Sequence, residues 1–204
     1  MKKYVLVSDG SSDRALLNII NHCLEKNFND TFDGTRAELG RIGVEKTKSL
    51  AKKITVAIEW YEPHFVVVHR DAENQGIKKR TEEIEVAVSQ LAGSQMSFLK
   101  IIPIKMTEAW LLIDEMAIRR AAGNPNGKMP LQLPAIDKLE TLSNPKEILQ
   151  GLIKEASGLS GRRLRDMNVQ QSIQLIPEFL TNFDTLNGLE SYRHFQSEVN
   201  KLQF

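Results

Sequence analysis

One cysteine in 204 residues cannot form an internal disulfide, and Cys23, in "LLNIINHCLEKN", sits at an apolar helical position where it reads as a small buried hydrophobe. A disulfide scaffold is excluded, and a reducing cytoplasm fits. Four scattered histidines and that lone thiol make no zinc pattern. No apolar run approaches the roughly 20 residues that cross a bilayer. The apolar stretch in "MKKYVLVSDG" is too short for a secretory leader and is broken by Ser8, Asp9 and Gly10. The expectation is a soluble, cytoplasmic protein without a membrane partner. Charge of one sign is also missing: 27 Lys and Arg stand against 26 Asp and Glu. Bulk electrostatics therefore give no footprint of a dedicated nucleic-acid binder, and any polyanion site is local. "SDGSSD" lacks the lysine and spacing of a P-loop, no GxGxxG follows a strand, and Ser11 and Ser12 lack a nucleophile elbow.

What is present is an alternation of short apolar strands and amphipathic helices up to about Leu112, which predicts a parallel sheet covered by helices. "KYVLVS" is a strand, and "SSDRALLNIINHCLEK" a helix capped by Ser11 or Ser12. "NFNDTFDGTRAELGRIG" is a loop around one short strand or hairpin. A helix from Val44 stops at Pro63; "HFVVVHRD" is the next strand, and a helix from Ile77 ends at Gly93. In "SFLKIIPIK", Pro103 marks an edge position or a strand end. Turn residues then dominate "NPNGKMPLQLPAIDKLE", and the rest predicts three or four short helices. The division expected is an α/β domain over residues 1–122 and a helical extension, 123–204, packed on it.

Acids stand where two strands end. Asp9 follows the first strand; in "VVVHRDAE", Asp71 and Glu73 follow the third and, two apart in an extended segment, project to one side. Ligands of parallel sheets bind outside the carboxyl ends of the strands. If the two strands are neighbours, three carboxylates share a small volume, and a hard divalent cation, Mg²⁺ or Mn²⁺, would relieve their repulsion. The plainer alternatives stay open: Asp9 binding backbone amides, Glu73 a solvated loop residue. Gly10 permits a sharp turn with positive φ that would offer N–H groups to a phosphate. His69 either orients a carboxylate or is a hydrogen-bonded structural histidine. Lys46, Lys48, Lys52 and Lys53 read as a solvated helix face. Thr107 reads as an N-cap with Glu108 in the first turn, and Trp110, Leu111, Leu112 and Ile113 as core. Lys78, Lys79 and Arg80 beside the acids, and Arg162, Arg163 and Arg165 in "SGRRLRD", are the candidate nucleic-acid contacts. Phe179, Phe183, Tyr192 and Phe195, at helical spacings, read as core or interface.

"VSDGSSD" resembles the first motif of the TOPRIM fold, "VHRDAE" its second, and "IPIKMTEAWLLID" a segment of bacterial TOPRIM proteins of the OLD-nuclease and RloB-like groups. The resemblance covers about residues 3–113, and "FDTLNGLESYRHFQSEV" is similar to the tail of small TOPRIM proteins. It implies a Rossmann-like, mostly parallel α/β fold and a metal-dependent phosphodiester nuclease acting on DNA or RNA, an effector or subunit of an ATPase-associated phage-defence system. By motif match the metal residues would be Asp9, Asp13, Asp71, Glu73 and Glu108, with Mg²⁺ or Mn²⁺ as cofactor. Asp9, Asp71 and Lys105 would act in catalysis, Lys105 facing the phosphate. An ATPase is implied as partner protein, and a homo-oligomer is left open. Asp9 departs from the glutamate usual in the first motif. Two readings compete with the nuclease: a catalytically silent adaptor for an ATPase, and a receiver-like phosphoacceptor module.

Overall fold

The computed structural model describes residues 1–10, 12–44, 48–91 and 96–203. Ser11 as a helix cap, Lys46 on a helix face and Gly93 as a helix stop lie outside the described residues. Four strands, β1 (Lys2–Val7), β2 (Phe32–Arg36), β3 (Phe65–His69) and β4 (Ser97–Ile101), form one parallel sheet in the order β2-β1-β3-β4. The fold is thus α/β and Rossmann-like, with helices on both faces. β4 is an edge, and Pro103 lies just beyond it, as its missing N–H requires.

The period of two in β1 and β3 decides which helices cover which face. Tyr4, Leu6, Phe65 and Val67 point to one side, against α1 (Leu16–Asn27) and the helices of the chain's second half. Val5, Val7, Val66 and Val68 point to the other, against α2 (Leu50–Tyr61) and α3 (Gly76–Ser89). All eight are 2% exposed or less, and each such side chain stabilises by about 1.5–3 kcal/mol relative to exposure. A buried parallel sheet has no wet face, hence the unbroken apolar runs.

α2 starts later than its apolar pattern predicts. Ser49 caps it, accepting a hydrogen bond from the Lys52 N–H, and Val44 is buried in the preceding segment instead of on the helix. Its end is as expected, with Glu62 in a left-handed conformation ahead of Pro63. A 3-10 turn (Ser12–Ala15) leads into α1.

After β4 a 3-10 turn (Thr107–Leu111) precedes α4 (Glu115–Ala121), α5 (Pro145–Ser157), α6 (Gly161–Arg165), α7 (Val169–Phe179) and α8 (Glu190–Val199). Asn144 caps α5, with Pro145 in its first turn and Gly158 in the left-handed conformation at its end. Ile153, Ile173, Ile176 and Phe195 from this half share one apolar cluster with Leu6 and Val67 of the sheet. Trp110 joins the two halves: its Nε1–H donates to Ser191 Oγ at 2.9 Å, and Tyr192 meets it edge-on at 5.4 Å. Trp110, Leu111, Leu112, Tyr192 and Phe195 are core, with Ile113, Phe179 and Phe183 packed against it. Cys23 is buried too, and burial pushes its thiol up to about 11. Among the described residues no helix is long and apolar enough to cross a membrane.

Candidate active site

β1 and β3 are adjacent, with Val7 opposite Val68, so the segments that follow them leave the carboxyl rim side by side. There Asp9, Asp13, Asp71, Glu73 and Glu108 line one cavity of about 360 Å³. The bases on its wall are His69, Arg70, Arg80 and Lys146.

His69, the last residue of β3, is 4% exposed and lies between two acids. Its Nδ1 is 3.4 Å from Asp13 Oδ2. Its Nε2 finds a hydrogen-bond partner in Thr107 Oγ1 at 3.3 Å. Asp71 Oδ1 is also 3.3 Å from Nε2, near enough for charge attraction but out of line for a hydrogen bond, and this buried oxygen has no aligned donor. Burial alone would lower the imidazole pKa; Asp13 and Asp71 outweigh it and push it up to about 9. His69 is therefore a cation at neutral pH, placed to orient carboxylates. Thr107 is not an N-cap: it opens the 3-10 turn, is buried, and spends its hydroxyl on this histidine.

Asp13 is committed to structure. Burial disfavours its charge, but His69 and the Gly10 N–H, which donates to Oδ2 at 2.9 Å, hold its carboxyl below the usual range. That bond corrects two expectations about Gly10. Its N–H is taken by Asp13 instead of being offered to a phosphate, and its φ is not positive. Glycine there allows a close approach: a Cβ would stand 3.0 Å from Asp13 Oδ2 and press on that carboxylate.

Asp9 lines the cavity but does not leave its charge there. Lys53 Nζ donates to Asp9 Oδ1 at 2.6 Å, and Arg70 Nη1 bonds Oδ2 closely. Lys53, read from sequence as solvated, is 7% exposed. Arg70 continues to Glu83 at 2.9 Å, and Glu83 to Arg80 at 2.7 Å. Arg80 Nε donates to the Asp71 carbonyl at 2.9 Å. Arg80 is thus a brace for the acidic loop as well as a base beside it. Glu73 adopts a left-handed backbone, φ 46°, a strained state for a non-glycine residue; its carboxylate is half exposed and 4.0 Å from Arg80 Nη2.

Glu108, in the 3-10 turn after β4, is 5% exposed. Burial raises its carboxyl above the usual range, and the charges of Asp71 and Asp13 add to the rise while Lys146 opposes it. Lys146 is the base that sequence reasoning missed. A signal existed: in "NPKE" it falls in the first turn of α5, where the helix dipole disfavours a cation.

The remaining expected residues lie elsewhere. Lys105 is half-buried in the bend after β4, where Met106 and not Lys105 lines the cavity. Lys78 and Lys79 are exposed on α3, away from the cavity wall. Arg162, Arg163 and Arg165 are exposed on α6, beyond the far end of α5 from Lys146. The 13 residues of α5 span about 20 Å. Among the described residues no three His, Cys, Asp or Glu side chains converge as a ready-made metal cage. Comparisons of the chain with protein-family models, with curated proteins and with solved structures find no match.

Proposed function

We propose that the rim cavity is a divalent-metal-assisted phosphodiester-cleaving site acting on nucleic acid. One observation carries this reading: Asp71 Oδ1 is buried without an aligned donor in the cavity that Glu73 and Glu108 also line, while Asp9 is neutralised by Lys53 and Arg70. Burial raises Glu108 most, and the charges of Asp71 and Asp13 that add to the rise also attract a cation.

A divalent ion fits this chemistry. Mg²⁺ and Mn²⁺ take hard oxygen donors, and Mg²⁺ characteristically uses one or two carboxylates, with water and substrate phosphate completing the shell. Asp71 and Glu108 would hold it, with Glu73 at the open side; Asp9 and Asp13 are already engaged by Lys53, Arg70, Gly10 and His69. When bound, the ion supplies Lewis acidity and a water of lowered pKa. The chain's own residues position the ester. Lys146 and the guanidinium of Arg70 present positive charge to its non-bridging oxygens. His69 holds Asp13 and attracts Asp71, so the acidic loop keeps its orientation.

The pairing of Asp9 with Lys53 and Arg70 favours one second reading. With its first acid neutralised, the same rim would serve a catalytically silent adaptor that docks an ATPase. Incubating supercoiled plasmid and single-stranded oligonucleotide with the purified protein in Mn²⁺ or Mg²⁺ separates them. The nuclease reading predicts cleavage that EDTA and Asp71→Asn abolish. Intact substrates, alone and with a purified ATPase encoded beside it, would leave the adaptor.

A further inference from the structure

Beside the acid cavity, and sharing Asp9 with it, lies a second cavity of about 330 Å³ at the carboxyl ends of β1 and β2. The boundary between them is the Lys53–Asp9–Arg70 bridge, over which a depression of about 400 Å³ runs. The two cavities differ in their lining: five acids line the first, while in the second Arg36 and Arg41 pair with Glu38 and Lys53 with Asp9, three cations to two acids. Its walls include Ala37, Leu39 and Val44, each 8% exposed or less, with Ser8 and Glu38 supplying polar atoms at their edge. An apolar slot with a few polar groups, entered across a basic bridge, suits a flat heterocycle attached to a phosphate.

We propose that this second cavity seats an unpaired nucleobase next to the phosphodiester held at the acid cavity, so that the ligand is single-stranded nucleic acid. The proposal rests on the phosphodiester-cleaving reading of the neighbouring cavity. The backbone phosphate between the two seats lies over Lys53 and Arg70, where it competes with Asp9 for their charge. A base seated in this cavity has left the stack of its neighbours. A duplex must first break pairing and stacking to place one there, whereas a single strand need not.

Gly40 gives access to the test. It lines the second cavity, a Cβ there meets nothing within 4 Å among the described residues, and its φ is not in the left-handed region, so Gly40→Leu adds bulk at the cavity wall without backbone strain. Fluorescence anisotropy with fluorescein-labelled twelve-nucleotide oligothymidylate, and with a blunt duplex of equal length, is read in Ca²⁺. The single strand is expected to bind wild type at least tenfold more tightly than the duplex, and Gly40→Leu to weaken it by about tenfold, the contribution of one seated base. Equal binding of strand and duplex, no binding of the strand, or an unchanged affinity in Gly40→Leu overturns the proposal. Cleavage in Mn²⁺ is scored separately. Strand binding without cleavage defeats the nuclease reading and keeps the base seat; cleavage without strand preference defeats the base seat alone.

Discussion

Lys53 Nζ donates to Asp9 Oδ1 at 2.6 Å across 44 residues of sequence, joining α2 to the loop after β1. The lysine side chain is 9% exposed and the aspartate 49%, so removing the acid strands a nearly buried ammonium beside Arg70. Asp9→Ala should cost about 1–2 kcal/mol, less than a fully buried pair because water screens the exposed carboxylate. Lys53→Met, which removes the buried charge itself, should cost less. Urea unfolding of the two variants checks the order, and a smaller loss in Asp9→Ala would show that the pair does not hold this loop.

His69 makes stability depend on pH in a defined direction. Its folded pKa of about 9 exceeds the ordinary 6.5, so its contribution is complete below about pH 6.5 and is lost as pH rises through about 9. At most about 3 kcal/mol is involved. The thermal midpoint should fall between pH 6.5 and 9.5, and His69→Gln should flatten that fall. Parallel curves for the two proteins would contradict the ion-paired imidazolium.

Removing charge from the acid cavity should separate activity from stability. Glu108 is raised by burial and by its acidic neighbours, so its ionised form weakens the fold as pH rises above the ordinary range. In metal-free buffer at pH 7, Glu108→Gln should raise stability by roughly 0.5–1 kcal/mol. The same variant should lower Mn²⁺-dependent cleavage at least a hundredfold. Calorimetric melting and a plasmid assay on one preparation read both.

Ser191 carries a junction between the two halves of the chain. It accepts from Trp110 Nε1, and its N–H and O–H both reach Glu140 Oε1. Ser191→Ala leaves the buried indole N–H without an acceptor, a loss of about 1–3 kcal/mol. With Trp60, exposed on α2, replaced by Phe, Trp110 fluorescence and far-UV circular dichroism should still unfold at one urea midpoint, because the helical extension and the sheet share a core. Two separated midpoints would show independent units.

The sheet and its helices were legible because β1 and β3 are buried on both faces, which leaves an unbroken apolar run that few other structures produce. The start of α2 was not: Val44 continues the helical spacing, yet Ser49 caps the helix and its first residue is Leu50, six beyond the expected start. Acids after strands located the rim, and strand adjacency brought Asp71 and Asp13 together around His69. The role of Asp9 was hidden, since its partner Lys53 is far away in sequence and looks like any lysine on a polar helix face. Lys105 rests on analogy with a motif, and after the bend at Ile104 and Lys105 it is Met106 that lines the cavity.

On the proposed reading Asp71 and Glu108 hold a divalent cation. Electron paramagnetic resonance of free Mn²⁺, titrated with the purified protein, reads it without any substrate. Wild type should quench the free-ion signal with a dissociation constant below about 1 mM, and Asp71→Asn with Glu108→Gln should abolish the effect. Equal signals from wild type and the double variant would contradict it.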